Sequence, residues 1–155
     1  MARKIDLQSA PAVVGSHYPA PFDQAVAKRV RRRLGDAAKL THFGVNLTRL
    51  PAGTWSSHRH WHTAEDEFVY VLEGELVLVT DSGEETLRSG DCAGFKAGTA
   101  NGHHLQNRTA HDAVILEIGS RRPEQDEIAY PDIDLKVLAG SETFTHADGT
   151  AYPAK

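Results

Sequence analysis

The sequence predicts an all-β fold, a small sandwich or barrel, between about residues 41 and 119. Three observations predict it. Roughly eight short runs in this stretch are apolar or alternate apolar with polar residues, as β-strands do. Turn-forming segments such as Pro51-Ala52-Gly53 and Ser89-Gly90-Asp91 separate the runs at close intervals. No helical pattern lies between the runs, which argues against a parallel sheet with crossover helices.

The strands can be placed in order along this stretch. In the first, Phe43, Val45 and Leu47 alternate with smaller or polar residues. Glycine-containing turns predict two hairpins, at Glu73-Gly74-Glu75 and at Asp81-Ser82-Gly83. After the first strand, the predicted strands span residues 68–72, 76–80, 84–87, 92–95, 103–107 and 113–118.

Two flanking segments differ from this pattern. Residues 1–40 predict an N-terminal arm, with a strand at Ala12-Val13-Val14 and a short helix over 22–34 that ends at Gly35. Residues 120–155 are polar and turn-rich, and predict a C-terminal extension that wraps the barrel of residues 41–119, with one edge strand within 130–135. The three segments are expected to form one domain.

Composition narrows the class of protein. The chain has 155 residues, a formal net charge of −4 and a single cysteine. The acidic balance argues against nucleic acid, so the basic run at 28–33 is interpreted as a solvated helix face. No apolar run approaches a membrane span, no signal peptide is recognised, and one cysteine excludes an intramolecular disulfide, so a cytoplasmic protein is expected. Cys92, within an apolar run, is expected to be a buried thiol.

A histidine-rich stretch carries the chemistry. His58, His60 and His62 occupy alternate positions, so on an extended strand they would share a face. Glu67 begins the next strand and can meet His60 and His62 inside the barrel. His58 is interpreted as a residue at the start of the strand, outside the ligand set. Imidazole and carboxylate together suit a first-row transition metal.

A fourth ligand must come from later in the chain. His103 and His104 are the candidates, and only one of them can face the barrel, because neighbouring residues on a strand point in opposite directions. Three histidines and one carboxylate leave coordination positions open, which is typical of a catalytic metal site. We expect one divalent ion, zinc, iron, manganese or nickel. Glu65 and Asp66 are either acid–base groups or solvated turn residues.

These residues resemble the two motifs of the cupin family. His60-Trp61-His62 is followed by four residues, Glu67, six residues and Gly74, as in the first motif. In the second, Gly90 precedes Lys96-Ala97-Gly98, and His103 is followed by three residues and Asn107. The chain departs from the second motif twice: Lys96 replaces a proline, and four residues rather than two separate Gly98 from His103. The spacing to Asn107 favours His103 over His104.

The resemblance implies a double-stranded β-helix, or jelly-roll barrel, in which His60, His62, Glu67 and His103 hold a metal and a small molecule binds in the barrel. Residues 65–75 and 90–95 are also similar to small single-domain bacterial cupins, which are often described as cupin-domain proteins or as candidate sugar-phosphate isomerases. The expected function is a metal-dependent enzyme, an oxygenase or an isomerase, acting on a small polar molecule. The alternative is a non-catalytic binding or sensor protein, whose pocket could be lined by apolar groups alone.

The opposite face of the histidine and Glu67 strands is apolar. Trp61, Phe68, Tyr70 and Leu72 lie there, where a sheet normally meets water. The arm, the tail or a second subunit is expected to cover this face. A homodimer is favoured, as the cupin resemblance also implies.

Overall fold

A computed structural model describes residues 3–155 of the chain. Short β-strands dominate these residues, accompanied by one 3-10 helix, Gln24–Val26, and one α-helix, α1, Leu34–Ala37. The strands are β1 (Ala12–Val14), β2 (Val30–Arg33), β3 (Phe43–Leu50), β4 (Trp61–His62), β5 (Glu67–Glu73), β6 (Glu75–Thr80), β7 (Gly83–Arg88), β8 (Cys92–Phe95), β9 (His104–Gln106), β10 (Ala113–Ser120), β11 (Ile128–Tyr130), β12 (Leu135–Val137) and β13 (Phe144–Thr145).

The strands form antiparallel sheets that enclose the barrel. One sheet has six strands in the order β1-β2-β3-β10-β5-β8. The facing wall consists of a three-stranded sheet, β7-β6-β9, and a four-stranded sheet, β13-β12-β11-β4. A backbone bridge between His60 and His103 joins these two sheets edge to edge. The predicted all-β jelly roll is confirmed.

The core lies between the two walls. Val69 and Val71 on β5 point inward and are buried, together with Leu76 on β6 and Ile115 on β10. Leu76 and Ile115 are fully buried, and truncation of such a side chain to alanine typically costs about 2–5 kcal/mol. A second cluster around Tyr18, Val26 and Tyr130 packs the N-terminal segment against the C-terminal strands.

The helix predicted over 22–34 is wrong. Val26 belongs to the short 3-10 helix, whereas Val30–Arg33 forms strand β2 between β1 and β3. Gly35 lies inside α1 rather than at a helix end, and a Cβ there would lie 2.9 Å from the Val45 backbone nitrogen. The apolar residues at every fourth position therefore do not form one helix face, because Val26 packs from the 3-10 helix and Val30 from strand β2. The interpretation of 28–33 as a solvated helix face fails with the helix.

The hairpin predicted at residues 73–75 is also wrong. β5 and β6 lie in different sheets, so Gly74 is where the chain crosses from one wall to the other. Gly74 has φ +82°, and a Cβ there would lie 2.8 Å from the Asp112 carbonyl oxygen. Both the backbone conformation and the close contact therefore favour glycine at this position. The hairpin between β6 and β7 forms as predicted.

The edge strand predicted within 130–135 is wrong, because residues 131–134 form the turn between β11 and β12. β11 and β12 pair with each other, and β11 also pairs with β4, which holds His62. This pairing brings the segment before β11 to the histidine–glutamate cluster. The domain limits at 40 and 119 stay predictions. Within residues 3–155, no helix is long and apolar enough to cross a membrane.

The outer face of the six-stranded sheet is open. Phe68, Tyr70 and Leu72 on β5 are each about 40% exposed, so neither flanking segment covers them. Cys92 pairs with Tyr70 across the β5–β8 ladder and shares this outer face, so it is exposed. The expectation of a buried thiol is wrong, because alternation along edge strand β8 turns Cys92 outward.

Candidate metal centre

The four side chains predicted as metal ligands meet at one place inside the barrel. His103 Nε2 lies 2.6 Å from Glu67 Oε2, and His60 Nε2 lies 3.4 Å from the same oxygen. His62 Nε2 lies 3.5 Å from Glu67 Oε1. Three imidazole nitrogens thus surround one carboxylate. Their role as ligands stays a prediction, but the donor set suits a first-row transition ion.

Each of these imidazoles is held through its other nitrogen. His60 Nδ1 lies 2.8 Å from the carbonyl oxygen of His58, and His103 Nδ1 lies 3.3 Å from the carbonyl oxygen of Asn101. A carbonyl oxygen only accepts, so Nδ1–H donates in both rings, and Nε2 is the nitrogen that faces Glu67. In the metal-free cluster His103 Nε2 donates to Glu67 Oε2. The ring of Phe95 stacks on His103 with centroids 3.6 Å apart, which fixes its plane.

Asp126 orients His62. His62 Nδ1 donates to Asp126 Oδ2 at 2.6 Å, while Asp126 Oδ1 accepts from the backbone N–H groups of Ala64 and Glu65 at 2.8 and 3.1 Å. A carboxylate behind a ligand histidine fixes its tautomer and raises its basicity. Sequence reasoning missed Asp126, because it is brought to His62 only by the pairing of β11 with β4.

His104 and His58 lie outside the cluster. His104 Nδ1 lies 2.9 Å from the Ser57 carbonyl oxygen, and its ring contacts Trp55 edge-on. Burial lowers the pKa of His104 to about 4, so it stays neutral at physiological pH. His58 Nε2 reaches the Phe22 carbonyl oxygen at 2.7 Å, because β4 begins only at Trp61 and the chain bends before it.

The cluster holds a proton in the metal-free state. Burial alone would raise the pKa of the Glu67 carboxyl, but His60, His103 and His62 lower it well below its usual value. Burial alone would lower the pKa of His62, but the hydrogen bonds and charges of Glu67 and Asp126 raise it to about 9. A cation that binds here must displace this proton.

The cluster opens into a cavity of about 880 Å³. Besides the four clustered side chains, ionisable groups line its wall, among them Glu65, Tyr130, Arg31 and Glu117. A smaller pocket of about 230 Å³ reaches the cluster from the side of Trp61 and also contacts Glu65.

Three further residues named from the sequence have clear positions. Glu65 is half-buried, accepts the Arg122 backbone N–H, and has a pKa raised by burial. Asp66 is exposed and accepts the Ala97 N–H at 2.8 Å, as a turn residue does. Asn107 is buried and donates to the Leu50 carbonyl oxygen, so it fixes a strand end.

Fold and motifs together define the class: the chain belongs to the cupin superfamily. Residues 46–119 match the family model of the cupin domain. A sugar phosphate isomerase of the cupin superfamily from Silicibacter pomeroyi is 46% identical, with a TM-score of 0.89 and 98% of each chain covered. A proposed sugar phosphate isomerase from Acidithiobacillus ferrooxidans is 31% identical, with a TM-score of 0.75, covering 86% of this chain and 84% of that one.

The polyketide cyclase RemF from Streptomyces resistomycificus shares the fold at 18% identity, with a TM-score of 0.66 and coverage of 86% and 87% of the two chains. No curated protein matches the chain. The cupin resemblance stated from the motifs is confirmed.

Proposed function

We propose that the protein is a metal-dependent isomerase of small hydroxy-carbonyl compounds of the sugar-phosphate class. The observation that carries the proposal is the convergence of three imidazole Nε2 atoms on the Glu67 carboxylate beside a cavity with further ionisable groups. A pure binding protein could have an apolar lining, and this cavity is not apolar. The two similar proteins are described as a sugar phosphate isomerase and a proposed one, which supports sugar phosphates as the class of substrate.

The residues that would hold the metal are His60, His62, Glu67 and His103. A bound divalent ion would supply a Lewis acid for a carbonyl and a hydroxyl oxygen. Their hydrogen-bonded Nδ1 atoms keep the histidines in the tautomer that such binding needs. The chain itself then has to supply a group that moves protons between adjacent carbons.

Glu65 is the group we assign to proton transfer. It lines both the cavity and the smaller pocket, and burial raises the pKa of its carboxyl toward the range useful for acid–base catalysis. As carboxylate it would take the proton from the hydroxyl-bearing carbon beside the carbonyl, and the C–H electron pair would form the enediol double bond. The carbonyl π pair would move to its own oxygen, which would receive the proton of the neighbouring hydroxyl group. Return of a proton from Glu65, in part exchanged with solvent, to the former carbonyl carbon would complete the isomerisation.

Solvent exchange tests this function across the whole class of substrates. Protein loaded separately with zinc, manganese, iron or nickel is incubated in D₂O with a panel of aldose and ketose phosphates, and proton NMR follows loss of the C–H signal beside the carbonyl. We expect interconversion and deuterium incorporation with at least one panel member. Glu65→Gln should keep its metal and lose about a hundredfold or more in rate.

Asp66→Asn is the matched control, because Asp66 is an exposed carboxylate next to Glu65 that serves the turn. It should retain the wild-type rate. Binding of panel members without exchange would contradict the isomerase and favour a sensor. Oxygen consumption by the iron form in place of exchange would favour an oxygenase.

We also propose that two copies associate through the open face of the six-stranded sheet. Phe68, Tyr70 and Leu72 are exposed there, and Leu116 on the paired strand β10 extends the same face. Exposed apolar patches of this kind mark interaction sites. Analytical ultracentrifugation should show a dimer for the wild type and a monomer for Tyr70→Glu; a monomeric wild type would contradict the proposal.

A further inference from the structure

Three arginines of the basic run at 28–33 line the cavity, and the two inner ones are Arg29 and Arg31. The third, Arg33, is exposed and lies 3.8 Å from Asp36. Arg29 precedes β2 and is only 5% exposed, and Arg31 on β2 faces inward beside Thr48 of β3. Both line the cavity that contains the histidine–glutamate cluster. Charged side chains are rarely buried unless they are paired, so the partners of each guanidinium matter.

Arg31 is neutralised within the barrel. Its Nη2 donates to Glu117 Oε1 at 3.0 Å, and its Nε lies 2.9 Å from Glu117 Oε2. The Thr48 hydroxyl donates to the same carboxylate at 2.7 Å. Glu117 is therefore fully engaged by its neighbours.

Arg29 has no such counter-charge. Its Nη1 donates to the Ser56 carbonyl oxygen and its Nη2 to the Gly15 carbonyl oxygen at 2.8 Å. Among residues 3–155, no carboxylate lies within ion-pair distance of Arg29, and its Nε has no hydrogen-bond partner. Two of its five N–H groups are thus used, both on neutral oxygens. Burial, together with the charge of Arg31, lowers the pKa of Arg29 to about 10, which still leaves it charged.

The surplus charge lies near the cluster. Glu117 is paired with Val69 across β10 and β5, two positions from Glu67 on the same inward face. Neighbouring strands are about 4.8 Å apart, so the arginine side chains extend from β2 over the cavity toward the Glu67 side. Tyr130, whose ring lies 5.7 Å from that of His60, stands between the two regions.

We propose that Arg29, with Arg31 beside it, binds an oxyanion of the substrate, a phosphate or a carboxylate group, while the reacting end of the same molecule lies at the histidine–glutamate cluster. The inference rests on the proposed function for the identity of the molecule, but the anion site itself does not require the metal. Two guanidinium groups against one carboxylate leave one positive charge for the ligand, and guanidinium geometry suits phosphate and carboxylate oxygens.

Calorimetric titration with inorganic phosphate tests the site on metal-free protein. We expect one phosphate per chain for the wild type and at least tenfold weaker binding for Arg29→Gln, since a charge-assisted hydrogen bond is lost. Arg29→Lys should bind more tightly than Arg29→Gln but more weakly than the wild type, because the charge remains while the planar guanidinium is lost. Arg32→Gln is the matched control: Arg32 lies on the same strand but on the outer face, and should leave affinity within about twofold.

Glu117→Gln should change the phosphate affinity in the opposite direction. It provides an independent test if Arg29→Gln does not fold. It removes the carboxylate that pairs with Arg31, so phosphate should bind more tightly than to the wild type. Unchanged or weaker binding in folded Glu117→Gln would overturn the proposal, as would unchanged binding in folded Arg29→Gln or no binding by the wild type. Parallel titrations with acetate at equal ionic strength decide between phosphate and carboxylate.

His62→Ala separates this inference from the proposed function. Phosphate binding that survives in His62→Ala supports a distinct anion site, even if no sugar phosphate is isomerised. Phosphate binding lost in His62→Ala would place the anion at the histidines and overturn the role of Arg29.

Discussion

Replacing Asp126 by asparagine should perturb the candidate metal centre through one hydrogen bond, because the two side chains have nearly the same shape. Asp126 accepts three N–H groups, from His62, Ala64 and Glu65. An asparagine has one acceptor oxygen and one NH₂ donor. If the oxygen keeps the backbone groups, the NH₂ faces His62 Nδ1, which must then accept. His62 would carry its proton on Nε2, the nitrogen that faces Glu67.

The magnitude follows from two opposing effects. Loss of a carboxylate behind a ligand histidine typically lowers metal affinity about 10–100-fold. Proton competition acts the other way, because Asp126 helps to raise the pKa of His62 to about 9, and the variant releases that proton more easily. As the pH falls below 9, the affinity of the wild type for a metal should fall about tenfold per pH unit, because the proton must be displaced.

The two effects separate with pH. In zinc titrations against a competing chromophoric chelator, Asp126→Asn should bind about 10–100-fold more weakly than the wild type near pH 9.5, where proton competition is absent. The difference in zinc affinity between Asp126→Asn and the wild type should be smaller near pH 6.5. Equal affinities near pH 9.5, in a variant with wild-type circular dichroism, would refute the role given to Asp126.

Three further predictions follow from the fold and its charges. Gly74→Ala should destabilise by about 1–3 kcal/mol more than Gly53→Ala in urea unfolding, since both glycines have positive φ but only the Gly74 Cβ would strike the Asp112 carbonyl; equal losses would exclude that clash. In metal-free protein the raised pKa of His62 contributes stability that is complete below about pH 6.5 and is lost toward pH 9, at most about 3 kcal/mol, and a flat urea profile would contradict it. Cys92 should react with a thiol reagent in the native state. A thiol that reacts only after unfolding would mean that Cys92 is covered.

The sequence predicted the histidine–glutamate cluster well because its signal is local. His60, His62 and Glu67 lie within one strand–turn–strand unit, where alternation fixes which side chains share a face. The choice between His103 and His104 depends on which residue faces inward after an irregular loop. The structure places His103 beside Glu67 and turns His104 toward Ser57.

The missed residues act over long separations. Asp126 follows His62 by 64 positions, and no local pattern marks it. Arg31 pairs with Glu117, which lies 86 positions later in the chain. In the sequence alone, a buried arginine with such a distant partner cannot be distinguished from a solvated one. Arg31 also explains why strand β2 was not predicted, because a strand is recognised from apolar residues on its buried face and here that face has an arginine.

Metal content tests the central claim most directly. Elemental mass spectrometry on protein purified without a metal-affinity tag should find about one equivalent of a first-row transition metal in the wild type and in His104→Ala. His62→Ala and His103→Ala should each lose it. No metal in the wild type, with none taken up on titration, would contradict the metal centre, as would loss in His104→Ala with retention in His103→Ala.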